Sequence, residues 1–137
     1  MKKFVIFLTL FFAVLTASAQ TNNDKLYDGK IGDFNIKVSV SFRNAVDASV
    51  GDSVGYYYYT DRPKTKFTLR LKEFDEQMNE NTFKVSYHFI LNEHTPKGFN
   101  SGTFDGWTSA LNSYNGTFTN SQGKEYDFYW DVLTADE

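Results

Sequence analysis

Hydrophobic and polar residues alternate along several stretches of this chain. From residue 34 to residue 43, apolar side chains occupy every second position and polar side chains lie between them. Successive side chains of a β-strand point to opposite faces, so this pattern predicts a strand with one buried face. The same period recurs in further stretches, which together give five predicted strands: 34–43, 54–58, 67–71, 83–91 and 126–132.

Three shorter segments add to these strands. Residues 26–31, 102–107 and 114–119 are rich in β-branched and aromatic side chains, although they contain glycines. The triplet Gly102-Thr103-Phe104 recurs as Gly116-Thr117-Phe118. We interpret this echo as two successive strands of one meander.

Residues 72–78 allow a second interpretation. Good helix formers are frequent there, and the apolar residues around them also follow a helical spacing: Phe67, Leu71, Phe74 and Met78. A helical turn before Asn79 is therefore an alternative to a strand.

Short turns of Gly, Pro, Asn and Asp separate the predicted strands. Short connections favour neighbouring antiparallel strands, and about eight such strands must close or pair to cover their apolar face. We predict an all-β fold, an up-and-down barrel or strongly rolled sheet of lipocalin-like form, with a two-sheet sandwich as the alternative. The predicted core consists of Phe34, Ile36, Val38, Val40, Leu69, Phe83, Val85, Phe89, Phe128 and Trp130.

The N-terminus has the features of an export signal. Lys2 and Lys3 precede an apolar run over 4–15, and Ala17-Ser18-Ala19 forms a small-x-small cleavage pattern. The run is shorter than the about twenty residues of a spanning helix, so we predict no membrane span after signal removal. The predicted divisions are a signal peptide (1–19), a flexible segment (20–25), a β domain (26–133) and a tail (134–137), in a protein exported to the periplasm or outside of a Gram-negative bacterium.

Charge and composition exclude several classes of function. Loss of Lys2 and Lys3 with the signal would change the net charge from −3 to −5. Such a chain repels polyphosphate on average, so we expect no nucleic-acid partner. The chain has no cysteine, which excludes disulfides, thiolate metal sites and cysteine nucleophiles.

The candidates for chemistry are few. His88 and His94 are too few for a three-histidine zinc site, although His94, Glu93 and a third carboxylate could form a mixed one. Acid pairs for glycoside hydrolysis could be drawn from Glu93, Asp105, Glu125 and Asp127. Surface acids are the default interpretation of these carboxylates, and we predict no enzyme activity, no cofactor and no metal.

The run of four tyrosines at 56–59 is the most unusual feature. If Val54 faces inward, Tyr57 and Tyr59 face outward and present amphipathic rings to a partner. Arg62 and Arg70, on the basic segment that follows, could orient that partner. We predict these four residues as the ligand-binding site; the opposite facing of the strand would bury Tyr57 and Tyr59.

Glycine and aromatic spacings across most of the chain also resemble a group of small exported bacterial proteins of unknown function. The segments that carry the resemblance are Gly29-Lys30-Ile31-Gly32 before Phe34-x-Ile36, Val54-Gly55-Tyr56-Tyr57-Tyr58, Leu91-x-Glu93, Gly102-x-Phe104-x-Gly106, and Asn115 to Asn120 with Gly123-Lys124. The resemblance implies a compact antiparallel β-structure and no known active site. Residues 73–82 depart from it as a longer, more acidic connection.

Three functions follow as expectations. The first is a non-enzymatic exported protein that binds a glycan or an envelope protein, since aromatic-rich strands offer contact area. The second is a carrier of a small apolar ligand in a barrel cavity. The third, suggested by the negative charge, is an inhibitor of a basic cell-wall hydrolase.

Overall fold

A closed β-barrel forms the protein in the computed structural model, which describes residues 26–40, 42–109 and 113–131. Each strand is antiparallel to the next, and the first also pairs with the last, with Gly29 opposite Trp130. The strands are β1 (Tyr27–Ile31), β2 (Phe34–Val40), β3 (Ser53–Tyr59), β4 (Phe67–Met78), β5 (Val85–His94), β6 (Asn100–Ser109), β7 (Ser113–Asn120) and β8 (Glu125–Asp131). The predicted all-β, up-and-down barrel is confirmed. The predicted signal, the segment 20–25 and the C-terminal tail lie outside the described residues.

The register of most strands follows the alternation in the sequence. Val38 is buried and the neighbouring Lys37 lies on the outer face. The repeated triplets fall on adjacent strands, where Phe104 is opposite Phe118. Seven of the ten predicted core residues are buried: Ile36, Val38, Val40, Leu69, Phe89, Phe128 and Trp130.

Two core predictions are wrong because they fall at strand ends. Phe34 is the first residue of β2, at one end of the barrel, and is 56% exposed. Phe83 precedes β5 in a turn, with a left-handed φ of 58° and an exposure of 74%. Val85 is half-buried at the first position of β5.

The helical alternative for residues 72–78 is also wrong, and a β-bulge explains the misleading spacing. The pairing of β4 with β5 shifts register between Leu71 and Glu73. The extra residue in the bulge moves the next inward position to Phe74, three residues after Leu71 instead of two. The expected long connection over 73–82 is therefore mostly strand, with a turn only at 79–84.

One short helix, α1 (Phe42–Ala45), follows β2. Phe42 was predicted to extend the strand, but its ring lies fully buried against Phe89, Tyr114 and Trp130, with centroid distances of 4.5, 4.8 and 6.4 Å. The loop after α1 is tied to β4 by backbone bonds from Gly51 N to Leu71 O and from Leu71 N to Asp52 O. α1 thus covers one end of the barrel. Within the described ranges, no helix is long and apolar enough to span a membrane.

Candidate functional site

The two ends of the barrel differ in how they are covered. We call the end below α1 the closed end, and the opposite end, ringed by the β1–β2, β3–β4, β5–β6 and β7–β8 turns, the mouth. A pocket of about 180 Å³ lies at the mouth. Its lining combines apolar, aromatic and polar side chains: Ile31, Phe34, Tyr59, Glu93, Ser101, Phe118, Asn120 and Tyr126.

A buried carboxyl group forms the floor of this mouth pocket. Glu93 points inward near the end of β5 and is only 4% exposed. One carboxyl oxygen, Oε2, accepts a hydrogen bond from the Tyr57 phenol, and Oε1 accepts one of 2.6 Å from the Ser101 hydroxyl. Burial raises the pKa of Glu93 from 4.5 to about 7, and the Ser101 hydrogen bond lowers it by a smaller amount. Glu93 therefore changes protonation state near neutral pH.

Four aromatic rings form the walls above Glu93. Phe34 meets Tyr59 edge to face with the centroids 6.1 Å apart, and Phe118 lies 6.5 Å from Tyr126. Gly102, opposite Glu93 in the register, makes room for one of these rings, because a Cβ there would lie 2.6 Å from Cζ of Phe118. The ring edges and faces thus surround a space that ends on a carboxyl group.

Two cations stand at the rim of the pocket. The Arg62 guanidinium lies 5.3 Å from the centroid of the Tyr59 ring, and the Lys124 ammonium lies 5.2 Å from that of Tyr126. Arg62 is also 3.8 Å from the Asp61 carboxylate and is largely exposed. Burial raises the pKa of the Tyr59 phenol, and the nearby Arg62 charge opposes that rise.

The outward orientation predicted for Tyr57 and Tyr59 is wrong. Tyr57 is fully buried and Tyr59 packs against the core, because the register of β3 with β4 shifts between Ser53 and Gly55, so Val54 does not set the phase of the strand. Tyr56 and Tyr58 face outward instead, with the Lys66 ammonium 5.4 and 6.0 Å from their ring centroids.

The four residues predicted as the ligand-binding site are therefore divided. Tyr59 and Arg62 meet at the mouth, and Tyr57 lies beneath them in contact with Glu93. Arg70 lies apart on the outer face of β4, where it donates a 3.0 Å hydrogen bond to the carbonyl of Gly51. Arg70 does not line the mouth pocket.

Sequence reasoning considered Glu93 only as a metal ligand or hydrolytic acid and did not consider Ser101. A signal was present, since Phe89, Leu91 and Glu93 continue one alternation and thus share the inner face. The other acids of the proposed hydrolytic pairs are exposed on outer faces: Asp105, Glu125 and Asp127. Among the described residues, no group of three His, Asp or Glu side chains is placed to hold a metal ion.

His88, one of the two histidines considered as metal ligands, does not line the pocket. It lies at the outer surface, stacked on Trp107 with the ring centroids 4.6 Å apart, and its Nε2 is 2.5 Å from Oδ1 of Asp105.

Comparison of the chain with protein-family models, curated proteins and solved structures finds no match. The resemblance to small exported bacterial proteins therefore stays a prediction.

Proposed function

We propose that this protein is an exported, non-enzymatic binding protein that takes a compact ligand into the mouth of its barrel. The observation that carries this proposal is the Glu93 carboxyl on the floor of a pocket whose walls are aromatic. Proteins rarely bury a carboxyl group that lacks a charged partner. A concave site with aromatic walls and a few convergent polar groups is typical of small-ligand recognition.

The size and polarity of the pocket restrict the ligand. Large buried side chains form the core of the barrel, as expected for eight strands. The pocket of about 180 Å³ is smaller than the about 300–1,000 Å³ of sites for drug-sized ligands. A compact molecule with one polar end fits this space better than a lipid, which would need an enclosed apolar void. Tyr57 and Tyr59 face inward, so they do not form the outer surface that we expected to bind a glycan or an envelope protein.

Blocking the pocket tests the proposal. We would titrate the ¹⁵N-labelled protein with a library of charged and neutral compounds of about ten non-hydrogen atoms or fewer, and follow backbone amide shifts. Ser101→Leu places a larger side chain in the pocket, and Thr103→Leu adds the same side chain on the outer face of the same strand. We expect shifts centred on the mouth in the wild type and in Thr103→Leu, and their loss in Ser101→Leu. Shifts that persist in Ser101→Leu, or a library without any hit, would contradict the proposal.

A further inference from the structure

Glu93 accepts hydrogen bonds from two side chains, and no cation among the described residues is paired with it. The ion pairs among the described residues join Lys37 to Asp28, Arg62 to Asp61 and His88 to Asp105, and none of them includes Glu93. An ionised carboxylate can accept about four hydrogen bonds, and Tyr57 and Ser101 supply two. Each carboxyl oxygen therefore keeps the capacity for a further hydrogen bond, and Glu93 is one of the residues that line the pocket.

We propose that the mouth pocket binds a compact alkylammonium ion, with Glu93 as its counter-ion and the rings of Phe34, Tyr59, Phe118 and Tyr126 around its alkyl groups. This inference rests on the proposed function and adds the chemical class of the ligand. A buried carboxylate is stabilised by pairing with a positive charge, and the ligand supplies the charge that the described residues around Glu93 do not.

The walls suit an organic cation better than a neutral ligand of the same shape. Aromatic faces attract ammonium groups through the ring quadrupole, and cages of such rings recognise alkylated ammonium ions. Two of the four wall rings already have a cation near them, since Arg62 and Lys124 lie 5.3 and 5.2 Å from the Tyr59 and Tyr126 centroids. A ligand cation would make the same type of contact from inside the pocket.

The cations at the rim oppose this ligand only weakly. Arg62 is mostly solvent-exposed and lies beside Asp61, and Lys124 is exposed in the β7–β8 turn. Exposed charges are screened within about 8 Å at physiological ionic strength, whereas a buried pair is screened much less. The attraction of an ammonium ion to Glu93 therefore exceeds its repulsion from the rim.

Protonation of Glu93 predicts a pH dependence of ligand affinity that can be measured on the wild-type protein. Among the described residues, the other titratable side chains that line the pocket or contact Glu93 are the phenols of Tyr57, Tyr59 and Tyr126, and the charged groups at the rim are Arg62 and Lys124. Because the pKa of Glu93 is about 7, the ionised fraction rises about tenfold between about pH 6 and pH 8. Affinity for a cation should rise by the same factor, and binding at neutral pH should release protons.

Three probes of similar shape and different charge test the inference: choline, 3,3-dimethylbutan-1-ol and 3,3-dimethylbutanoate. Calorimetry and amide shifts at about pH 8 would give the three affinities for wild type, Glu93→Gln and the exposed control Glu125→Gln. We expect choline to bind about tenfold more tightly than the alcohol in wild type and Glu125→Gln, with the difference lost in Glu93→Gln.

Each other result has a distinct meaning. If the alcohol or the carboxylate binds as tightly as choline at the mouth, the cation inference is wrong and the proposed binding function stands. If none of the three probes binds, the cation inference is wrong. The titration with the compound library then tests the proposed binding function separately. Choline affinity that is unchanged between about pH 6 and pH 8 also overturns the inference, even if Glu93→Gln fails to fold.

Discussion

The closed end and the mouth are built from the same eight strands but are filled in opposite ways. At the closed end, Phe42, Phe89, Tyr114 and Trp130 are all fully buried and in ring-to-ring contact. The Tyr114 phenol donates a 2.7 Å hydrogen bond to the carbonyl of Phe89. At the mouth, the rings line a pocket, and a buried carboxyl group takes the place of apolar packing.

This difference shows how a small barrel can combine stability with a binding site. Contact between large apolar side chains stabilises a fold, whereas a pocket gives up such contacts and a buried carboxyl opposes folding when it ionises. The closed end therefore supplies the stability that the mouth lacks. Substitutions at the closed end should consequently change stability, and substitutions at the mouth should change binding and its pH dependence.

The largest expected effect is the loss of stability in Phe42→Ala. Removing a buried phenyl ring leaves a cavity among Phe89, Tyr114 and Trp130, and such truncations cost about 3–5 kcal/mol. Urea unfolding measures this loss, and Phe83→Ala, at an exposed position near the same end, should change stability by less than about 0.5 kcal/mol. Choline affinity of the folded Phe42→Ala variant should match that of wild type. A loss of stability below about 1 kcal/mol would show that α1 does not secure the closed end.

The second prediction concerns the pH dependence that Glu93 gives to stability. Burial raises the pKa of Glu93 from its ordinary 4.5 to about 7 on folding, so the stabilising contribution is complete below about pH 4.5 and is lost as the pH rises through about 7. At 1.36 kcal/mol per pKa unit, wild type should lose up to about 3 kcal/mol relative to Glu93→Gln between about pH 4.5 and pH 8. Urea unfolding of both proteins across this range measures the difference. The exposed control Glu125→Gln should keep the wild-type slope, and a constant offset between wild type and Glu93→Gln would refute the assignment.

The fold could be predicted from the sequence because, wherever a strand is regular, the alternation of apolar and polar residues shows which side chains face the core. The alternation gave wrong predictions where a strand is irregular. The bulge near Leu71 produced a helical spacing, and the register shift near Gly55 reversed the expected facing of Tyr57 and Tyr59. A bulge inserts one extra residue, so every later residue of the strand points to the opposite face from the one that the alternation predicts. No residue type in the sequence identifies the position of a bulge.

The candidate site was less predictable for a related reason. Tyr59 and Arg62 were singled out, but as parts of an outer surface, and Ser101 carried no distinguishing pattern. Glu93 followed the inward alternation of Phe89 and Leu91, yet an acidic residue at the end of a strand is normally solvent-exposed. The pocket depends on which strands meet at the mouth, and that information comes only from closure of the sheet.

A smaller effect is expected at the mouth itself. Phe34 is 56% exposed and contacts Tyr59 edge to face, so Phe34→Ala should lower stability by less than about 1 kcal/mol. Loss of one aromatic wall should weaken choline binding about threefold, as expected for one cation–π contact of about 0.5–1 kcal/mol. Phe99→Ala is the matched control, since Phe99 is 68% exposed in the β5–β6 turn and does not line the pocket. Equal choline affinities of Phe34→Ala and Phe99→Ala would show that Phe34 does not contribute to binding.

The smallest predicted effect lies at the turn between β4 and β5, near the closed end. Phe83 holds a left-handed φ of 58° although it is 74% exposed, and its amide donates a 2.7 Å hydrogen bond to the carbonyl of Asn79. Any side chain with a Cβ, alanine included, costs about 1–2 kcal/mol in that conformation, and asparagine offsets part of this cost because its short polar side chain can hydrogen-bond locally. Phe83→Asn should therefore raise the free energy of unfolding by about 0.5 kcal/mol, while Lys84→Asn, at an exposed position without a positive φ, should not. Calorimetric melting of both variants gives the comparison. A loss of stability in Phe83→Asn would mean that the Phe83 ring belongs to the packing of the closed end.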